Sequence, residues 1–236
     1  MPTIKIFYDN KIKEEGLTAA WGFSALVKYK ERNILFDAGG DSKILASNMK
    51  KMKSDPKHIE FIVISHAHWD HVGGLSAVLD ENKTVYLLKS FPESLKKAIR
   101  IAGAKPIEVS EPQQIVEGIH TTGELGHGIK EQALVVDSGK GLIIITGCAH
   151  PGIVEIVKKS KELFNKPIYF VLGGFHLLDK SESEIKKIIE EFKKLGVVYV
   201  GPCHCTGDRA IALFKDAYRD KFIEIGVGKV LDTKSL

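Results

Sequence analysis

His66-Ala67-His68-Trp69-Asp70-His71 follows the apolar run Phe61-Ile62-Val63-Ile64-Ser65 and precedes Gly73-Gly74. Four potential metal ligands fall within six residues. Imidazole nitrogens and a carboxylate suit zinc, iron or manganese. On a strand, His66, His68 and Asp70 would share a face and His71 would point away. On a helix the four would scatter around the axis. A loop turning from strand into helix can aim all of them at one point, or at two neighbouring points. Three of the chain's nine histidines lie in this hexapeptide, which argues against an incidental polar loop.

The rest of the chain sets milder bounds. With 236 residues and 44% hydrophobic content it can bury a sizeable core, and the expectation is a single domain over residues 1–236. Lys and Arg number 34 against 30 Asp and Glu, a net charge of +4. That near balance permits a small anionic, phosphorylated substrate and gives no reason to expect a nucleic-acid partner. A homo-oligomer is compatible with it. Three cysteines, Cys148, Cys203 and Cys205, make no secretory framework, so a reduced cytoplasmic setting is expected. The N-terminal residues read as a strand and lack the apolar core of a signal peptide. No apolar run reaches about 18 residues, so no membrane-spanning helix is expected. A composition rich in Lys, Glu and Ile hints at a thermophile.

Short apolar runs alternate with amphipathic stretches. Strands are expected at residues 4–8, 23–29, 34–36, 61–65, 85–88, 115–121, 133–137, 142–146, 168–172, 197–200 and 222–225. Asp137-Ser138-Gly139-Lys140-Gly141 reads as a hairpin turn. Helices are expected at residues 42–53, 73–79, 92–101, 152–164, 182–195 and 208–218. Ser181 with Glu184 forms a capping-box start and Gly196 a stop for the fifth. Early hairpins followed by strand–helix alternation indicate a mixed, layered α/β fold.

The late histidines follow a rule. His150, His176 and His204 each come shortly after an apolar run, as the first cluster does, and each loop carries glycine. Four ligand-bearing loops therefore leave the C-terminal ends of strands, where a rigid scaffold usually places chemistry. The histidines at positions 58, 120 and 127 have no such context and read as ordinary structural or surface residues.

These features resemble the metallo-β-lactamase superfamily. His-x-His-x-Asp-His after an apolar strand is its signature, and Phe36-Asp37-Ala38-Gly39-Gly40 is similar to its earlier Asp-Thr-Gly turn. Further motifs are the 146–154 stretch Thr-Gly-Cys-Ala-His-Pro-Gly-Ile-Val, Gly173-Gly174-Phe175-His176-Leu177, and His204-Cys205-Thr206-Gly207. With Thr122-Gly123-Glu124 and Glu131-Gln132-Ala133-Leu134, they look like the subfamily of dihydropterin-methyl-ribofuranosyl-aminobenzene-phosphate synthases, an activity of methanopterin biosynthesis. The resemblance covers essentially the whole chain and implies a four-layer αββα sandwich.

It also implies one or two divalent ions, zinc first, with manganese or iron as alternatives. His66, His68 and His150 would hold one; Asp70, His71 and His204 would lie at a second. Most superfamily members carry a bridging Asp at the end of a strand between the last two histidines, and the stretch here, residues 171–176, has none. Asp70 is expected to bind metal and take a proton, its alternative being a helix N-cap. Asp37 is expected to be a buried structural carboxylate supporting the ligand loops. His176 is expected at the substrate, as a phosphate contact or proton donor, with metal ligation as second choice. Thr206 at a helix start is a candidate phosphate contact, or an ordinary capping residue. Cys148 and Cys205 read as small packing residues or supports around the ligands, and Cys203 as core. The chemistry would be hydrolysis, or a transfer displacing diphosphate. A nucleic-acid phosphodiesterase and a non-catalytic metal-binding scaffold are the alternatives.

Overall fold

The computed structural model describes all residues 1–236. The chain divides into two compact units, Met1–Ser110 with Gly226–Leu236, and Glu111–Ile225.

The first unit is built on a seven-stranded mixed sheet. Its strands are β1 (Thr3–Tyr8), β2 (Ser24–Tyr29), β3 (Arg32–Phe36), β4 (Phe61–Val63), β5 (Thr84–Leu88), β6 (Lys105–Val109) and, from the end of the chain, β13 (Val230–Asp232). The order is β13-β1-β2-β3-β4-β5-β6. The β13–β1–β2–β3 half is antiparallel and the β3–β4–β5–β6 half parallel. Parallel neighbours need crossovers, and these contain α1 (Ser42–Lys51), α2 (Trp69–Val72) and α3 (Glu93–Ile101). Asp41 caps α1 by accepting from the N–H groups of Lys43 and Ile44. Leu45 and Met49, one turn apart, sit in a core with Phe7, Leu35, Ile62 and Val85.

The register positions the first ligands. Phe36 on β3 stands beside Val63 on β4. Because the two strands are parallel, Asp37 and the loop from Ile64 leave the same sheet edge side by side.

The second unit has a six-stranded mixed sheet. Its strands are β7 (Gln113–Val116), β8 (Ile119–Thr121), β9 (Leu134–Asp137), β10 (Leu142–Thr146), β11 (Ile168–Gly174) and β12 (Tyr199–Cys203). The order is β12-β11-β10-β9-β8-β7, antiparallel from β7 to β10 and parallel from β10 to β12. Every residue of β10 and β11 is buried, as expected for strands covered on both faces. The helices are α4 (Ile153–Phe164), α5 (Glu182–Leu195) and α6 (Asp208–Tyr218). Ile185, Ile189 and Phe192 form the buried stripe of α5. Phe192 meets Phe175 and Phe214 at centroid separations of 5.5–5.7 Å. Full burial of each such ring contributes roughly 1.5–3 kcal/mol. The capping box of Ser181 and Glu184 is present, and Gly196 ends the helix at φ 78°.

Several expectations need correction. The 115–121 run is two strands, because Glu117-Gly118 forms a turn with Gly118 at φ 80°. Residues 222–225 form no strand; Phe222 makes one isolated bridge to Val200. The helix expected at 73–79 is instead the short α2 followed by a 3-10 turn at Leu75–Ala77. Gly74 explains the break: a Cβ there would lie 1.9 Å from the Ala38 carbonyl oxygen, so this backbone packs tightly on the neighbouring loop. β6 and β13 fall outside every expected strand. No helix is long and apolar enough to cross a membrane.

Candidate functional site

In the first unit, the turn after β4 gathers the hexapeptide. His66 stacks near His68 with ring centroids 4.6 Å apart, and near His71 at 4.2 Å. The ligand atoms of His66 and His68 lie within 4.8 Å of each other, as do those of Asp70 and His71. His71 Nε2 is 3.6 Å from Asp70 Oδ2. Asp70 lies inside α2, whose N-cap is His68, so it is not the cap residue of that helix.

A buried carboxylate organises this turn. Asp37 Oδ1 accepts the Ser65 backbone N–H at 2.7 Å, and Oδ2 accepts the Ser65 hydroxyl at 2.7 Å. Oδ2 is also 2.7 Å from His71 Nδ1. Ser65 Oγ lies 2.9 Å from His66 Nδ1. A hydroxyl has one proton, and a carboxylate can only accept. Ser65 therefore donates to Asp37 and accepts from His66 Nδ1–H. By the same logic His71 Nδ1–H donates to Asp37. Both imidazoles are thereby fixed as Nδ1–H tautomers whose Nε2 lone pairs are the ligating positions. The expected supporting role of Asp37 is what the geometry shows.

The second unit has its own buried carboxylate, one that sequence reasoning quoted in a motif without giving it a role. Glu131 Oε1 accepts the backbone N–H groups of Gly147, Cys148 and Ala149 at 2.9–3.0 Å, and Oε2 accepts that of His150 at 3.0 Å. Four successive amides thus converge on one side chain that is fully buried, a nest around an anion. The nest fixes the loop after β10, with Ala149 at φ 62°. A signal existed in the sequence: an acidic residue two positions before the apolar run 133–137 calls for a partner if buried.

The three parallel strands β10, β11 and β12 end level, with Thr146 beside Gly173 and Gly174 beside Cys203. The loops beyond them bring His150, His176 and His204 to one edge of this sheet. His150 and His176 rings are 4.3 Å apart. His204 opens a 3-10 turn, and its ligand atom lies within 4.8 Å of the Cys148 sulfur. Cys148, His176 and Cys205 likewise present ligand atoms all within 4.8 Å of one another. The hydrogen bond from the Cys148 thiol holds the Cys205 thiol well below its usual range, and the bond to Cys205 raises His176. Thr206 is buried; its hydroxyl donates to the Cys203 carbonyl at 2.6 Å and accepts from the Phe175 N–H at 3.0 Å. It ties two ligand loops together. Among the other histidines, His120 packs on Phe164, and burial lowers its pKa.

The donor set suits a divalent ion. The Nε2 atoms of His66, His150 and His204 are buried and make no hydrogen bond, and neutral imidazole with carboxylate is a common zinc, iron or manganese environment.

Comparison with known proteins gives the family. The family model described as the metallo-beta-lactamase superfamily matches residues 22–204. A 7,8-dihydropterin-6-methyl-4-(beta-D-ribofuranosyl)-aminobenzene-5'-phosphate synthase of Methanocaldococcus jannaschii is 31% identical, over 89% of each chain. A crystal structure of a metal-dependent hydrolase of the beta-lactamase superfamily is also 31% identical, with a TM-score of 0.85 over 98% of this chain and 99% of the other. The metallo-beta-lactamase fold protein YhfI of Bacillus subtilis shares the fold at 13% identity, with a TM-score of 0.73 over 98% of this chain and all of its own.

Proposed function

The chain belongs to the metallo-beta-lactamase superfamily, and we propose that it is a metal-dependent enzyme acting on a small phosphorylated substrate. Its fold is the α/β fold of that superfamily, two mixed sheets flanked by helices. The family match begins in one unit and ends in the other, which supports reading residues 1–236 as one functional domain.

The observation that carries this reading is the buried relay from Asp37 through Ser65 to His66, with its second arm to His71. A polar network of this kind fixes two imidazole tautomers at a strand end. It serves ligands better than it serves packing, because every buried polar group in it must be satisfied. We assign metal ligation to His66, His68, Asp70 and His71 in the first unit and to His150 and His204 in the second, enough donors for one or two ions. Zinc is the first choice, with manganese or iron as alternatives.

A divalent ion supplies two effects, lowering the pKa of a water from about 15.7 toward about 7 and drawing charge off a phosphate or carbonyl oxygen. The protein residues do the rest. Asp37 and Ser65 hold His66 and His71 in their ligating tautomers. Asp70, buried and beside His71, is the carboxylate placed to accept a proton. The Glu131 nest holds the His150 backbone still. Hydrolysis of a phosphoester or a related ester is the reading we favour.

A second reading is a synthase-like transfer, in which an aminobenzene nucleophile displaces diphosphate from a dihydropterin methyl group. Two observations favour it: the 31% identity to the archaeal synthase, and Trp69, which lies between two ligands and is 63% exposed. An exposed indole at that position offers a flat face on which a planar ring can stack.

The test is elemental analysis of protein purified without added metal, joined to turnover of phosphoesters, thioesters and a dihydropterin diphosphate. His66→Ala/His68→Ala should lose an ion per chain and the turnover found for the wild type. Retention of wild-type stoichiometry and rate by that variant would overturn the assignment. The panel then separates hydrolysis from transfer.

A further inference from the structure

We propose that Cys148, His176 and Cys205 form a thiolate–imidazole site for a zinc-like divalent ion, lying wholly within the second unit. It adjoins the donors assigned above, because the Cys148 sulfur also lies within 4.8 Å of the His204 ligand atom, and Cys205 and His176 are the donors that distinguish it.

The argument begins with position. Cys148 lies two residues beyond the last residue of β10, His176 two beyond β11, and Cys205 two beyond β12. Those three strands are parallel and level, so equal offsets bring three donor side chains to neighbouring places on one sheet edge. Their ligand atoms lie within 4.8 Å of one another. With Zn–S near 2.3 Å and Zn–N near 2.0–2.1 Å, tetrahedral geometry places two sulfurs about 3.8 Å apart and a sulfur and a nitrogen about 3.6 Å apart. A contraction of about 1 Å or less, within the reach of small side-chain rotations, therefore closes the site on an ion.

The surroundings fit a site more than a packed core. Gly174 leaves the space the sulfur occupies: a Cβ there would lie 2.7 Å from Cys205 Sγ and 3.2 Å from Cys148 Cα. The backbone is fixed independently on each of the three loops. Glu131 accepts the Cys148 N–H. Thr206 accepts the Phe175 N–H and donates to the Cys203 carbonyl, holding the residues next to His176 and Cys205. His176 itself is held at φ 52°, a conformation that a non-glycine residue keeps only where its surroundings impose it. The Cys205 thiol donates to the Cys148 carbonyl at 3.6 Å, a bond given up when the deprotonated sulfur turns to a metal. Both cysteines are buried while His176 is exposed, which gives an ion an approach from solvent. Two sulfurs and one imidazole suit zinc. Three protein donors leave a fourth position for water or an anion.

Cobalt(II) is the probe, because a thiolate bound to it gives an intense near-ultraviolet charge-transfer band that imidazole and carboxylate do not. Full-length protein, reduced and free of metal, is titrated with cobalt(II) as wild type, Cys205→Ser and His66→Ala/His68→Ala. We expect the band in the wild type, its retention in the histidine variant, and loss of at least half its intensity with one ion per chain in Cys205→Ser. X-ray absorption of the zinc-loaded wild type should show sulfur at about 2.3 Å; this measurement needs no variant and decides the matter if Cys205→Ser fails to fold. Fully loaded wild type without the band and without sulfur at zinc would overturn the proposal and leave the cysteines as packing. A band that disappears in His66→Ala/His68→Ala but persists in Cys205→Ser would also overturn it, since the thiolate would then belong to the histidine-cluster ions. Failure of the histidine-cluster assignment would instead appear as unchanged metal content in His66→Ala/His68→Ala, whatever Cys205→Ser does.

Discussion

Glu131→Ala is the most informative single change for the ligand frame. It removes a carboxylate that accepts four backbone N–H groups at 2.9–3.0 Å. Hydrogen bonds to a charged group contribute about 1.5–3 kcal/mol each, so independent summation would give roughly 6–12 kcal/mol. Four amides on one carboxylate are not independent, and water entering the cavity re-solvates part of the nest. A net loss of about 4–6 kcal/mol is therefore expected, against a total stability of about 5–15 kcal/mol. For a chain of this length that lowers Tm by roughly 10–20 °C. Glu131→Gln keeps the shape and one acceptor oxygen but turns an NH2 toward an N–H, and should cost about 1–3 kcal/mol. Thermal unfolding followed by circular dichroism, and metal affinity measured by competition with a chelator, give the two readouts. Metal affinity should weaken about 10–100-fold in Glu131→Gln, as for other groups that orient ligands. The reasoning fails if Glu131→Gln melts with the wild type. It also fails if that variant melts lower yet binds metal unchanged, since the carboxylate would then stabilise the loop without positioning His150.

Two further outcomes follow from the same structure. Asp37→Asn should weaken metal binding about 10–100-fold, because an amide cannot accept from Ser65 N–H, Ser65 O–H and His71 Nδ1–H together; unchanged affinity by the same competition assay would show that the tautomer relay is dispensable. At the start of α5, the backbone and side-chain bonds from Ser181 pull Glu184 down from 4.5 to about 2. A depressed folded-state pKa gives stabilisation that is complete above the unfolded value and lost as pH falls through the folded one. Amide protection factors at the first turn of α5, corrected for the intrinsic pH dependence of exchange, should therefore fall between about pH 4.5 and pH 2, and Glu184→Gln should flatten that dependence.

How much of this was legible depends on the range of the interaction. Strands with continuous apolar runs, such as β10 and β11, announce themselves locally, as do the capping box at Ser181 and the turn at Ser138–Gly141, where Ser138 N–H bonds Gly141 O at 3.0 Å. Edge strands do not. β6 reads Lys-Pro-Ile-Glu-Val and lies at the end of its sheet, where proline and charge are tolerated because one side of the strand has no neighbour. β13 has three residues and is recognisable only through its pairing with β1. The same division governs the site. The hexapeptide is local and was readable as a cluster of candidate ligands. The Asp37 role was readable only through family resemblance, because Ser65 and His71 lie 28 and 34 residues away. Glu131 was readable only as an acidic residue beside an apolar run: its partners are backbone amides, which leave no mark on residue identity. The placement of His150, His176 and His204 after apolar runs was visible locally, whereas the common offset of two that gathers Cys148, His176 and Cys205 was not, because it depends on where three parallel strands end.

The two carboxylates solve one physical problem in each unit. A loop that must present a ligand loses about 1–2 kcal/mol of backbone conformational entropy for each residue it fixes. If the loop were mobile until an ion arrived, that cost would be subtracted from metal affinity. The nest around Glu131 fixes four consecutive residues, Gly147 to His150. It moves about 4–8 kcal/mol of ordering from the binding step into folding. The same segment carries Cys148 as well as His150, so a single carboxylate would pre-organise donors for both of the proposed sites. Its loss should therefore degrade the cobalt–thiolate signal and the histidine-bound metal together, even though the two sets of ligands share no residue. Asp37 acts more narrowly: within the first unit it orients His71 directly and His66 through Ser65, by their Nδ1 atoms. A variant that weakens histidine-bound metal while sparing the thiolate band is thus expected at Asp37, and one that weakens both is expected at Glu131.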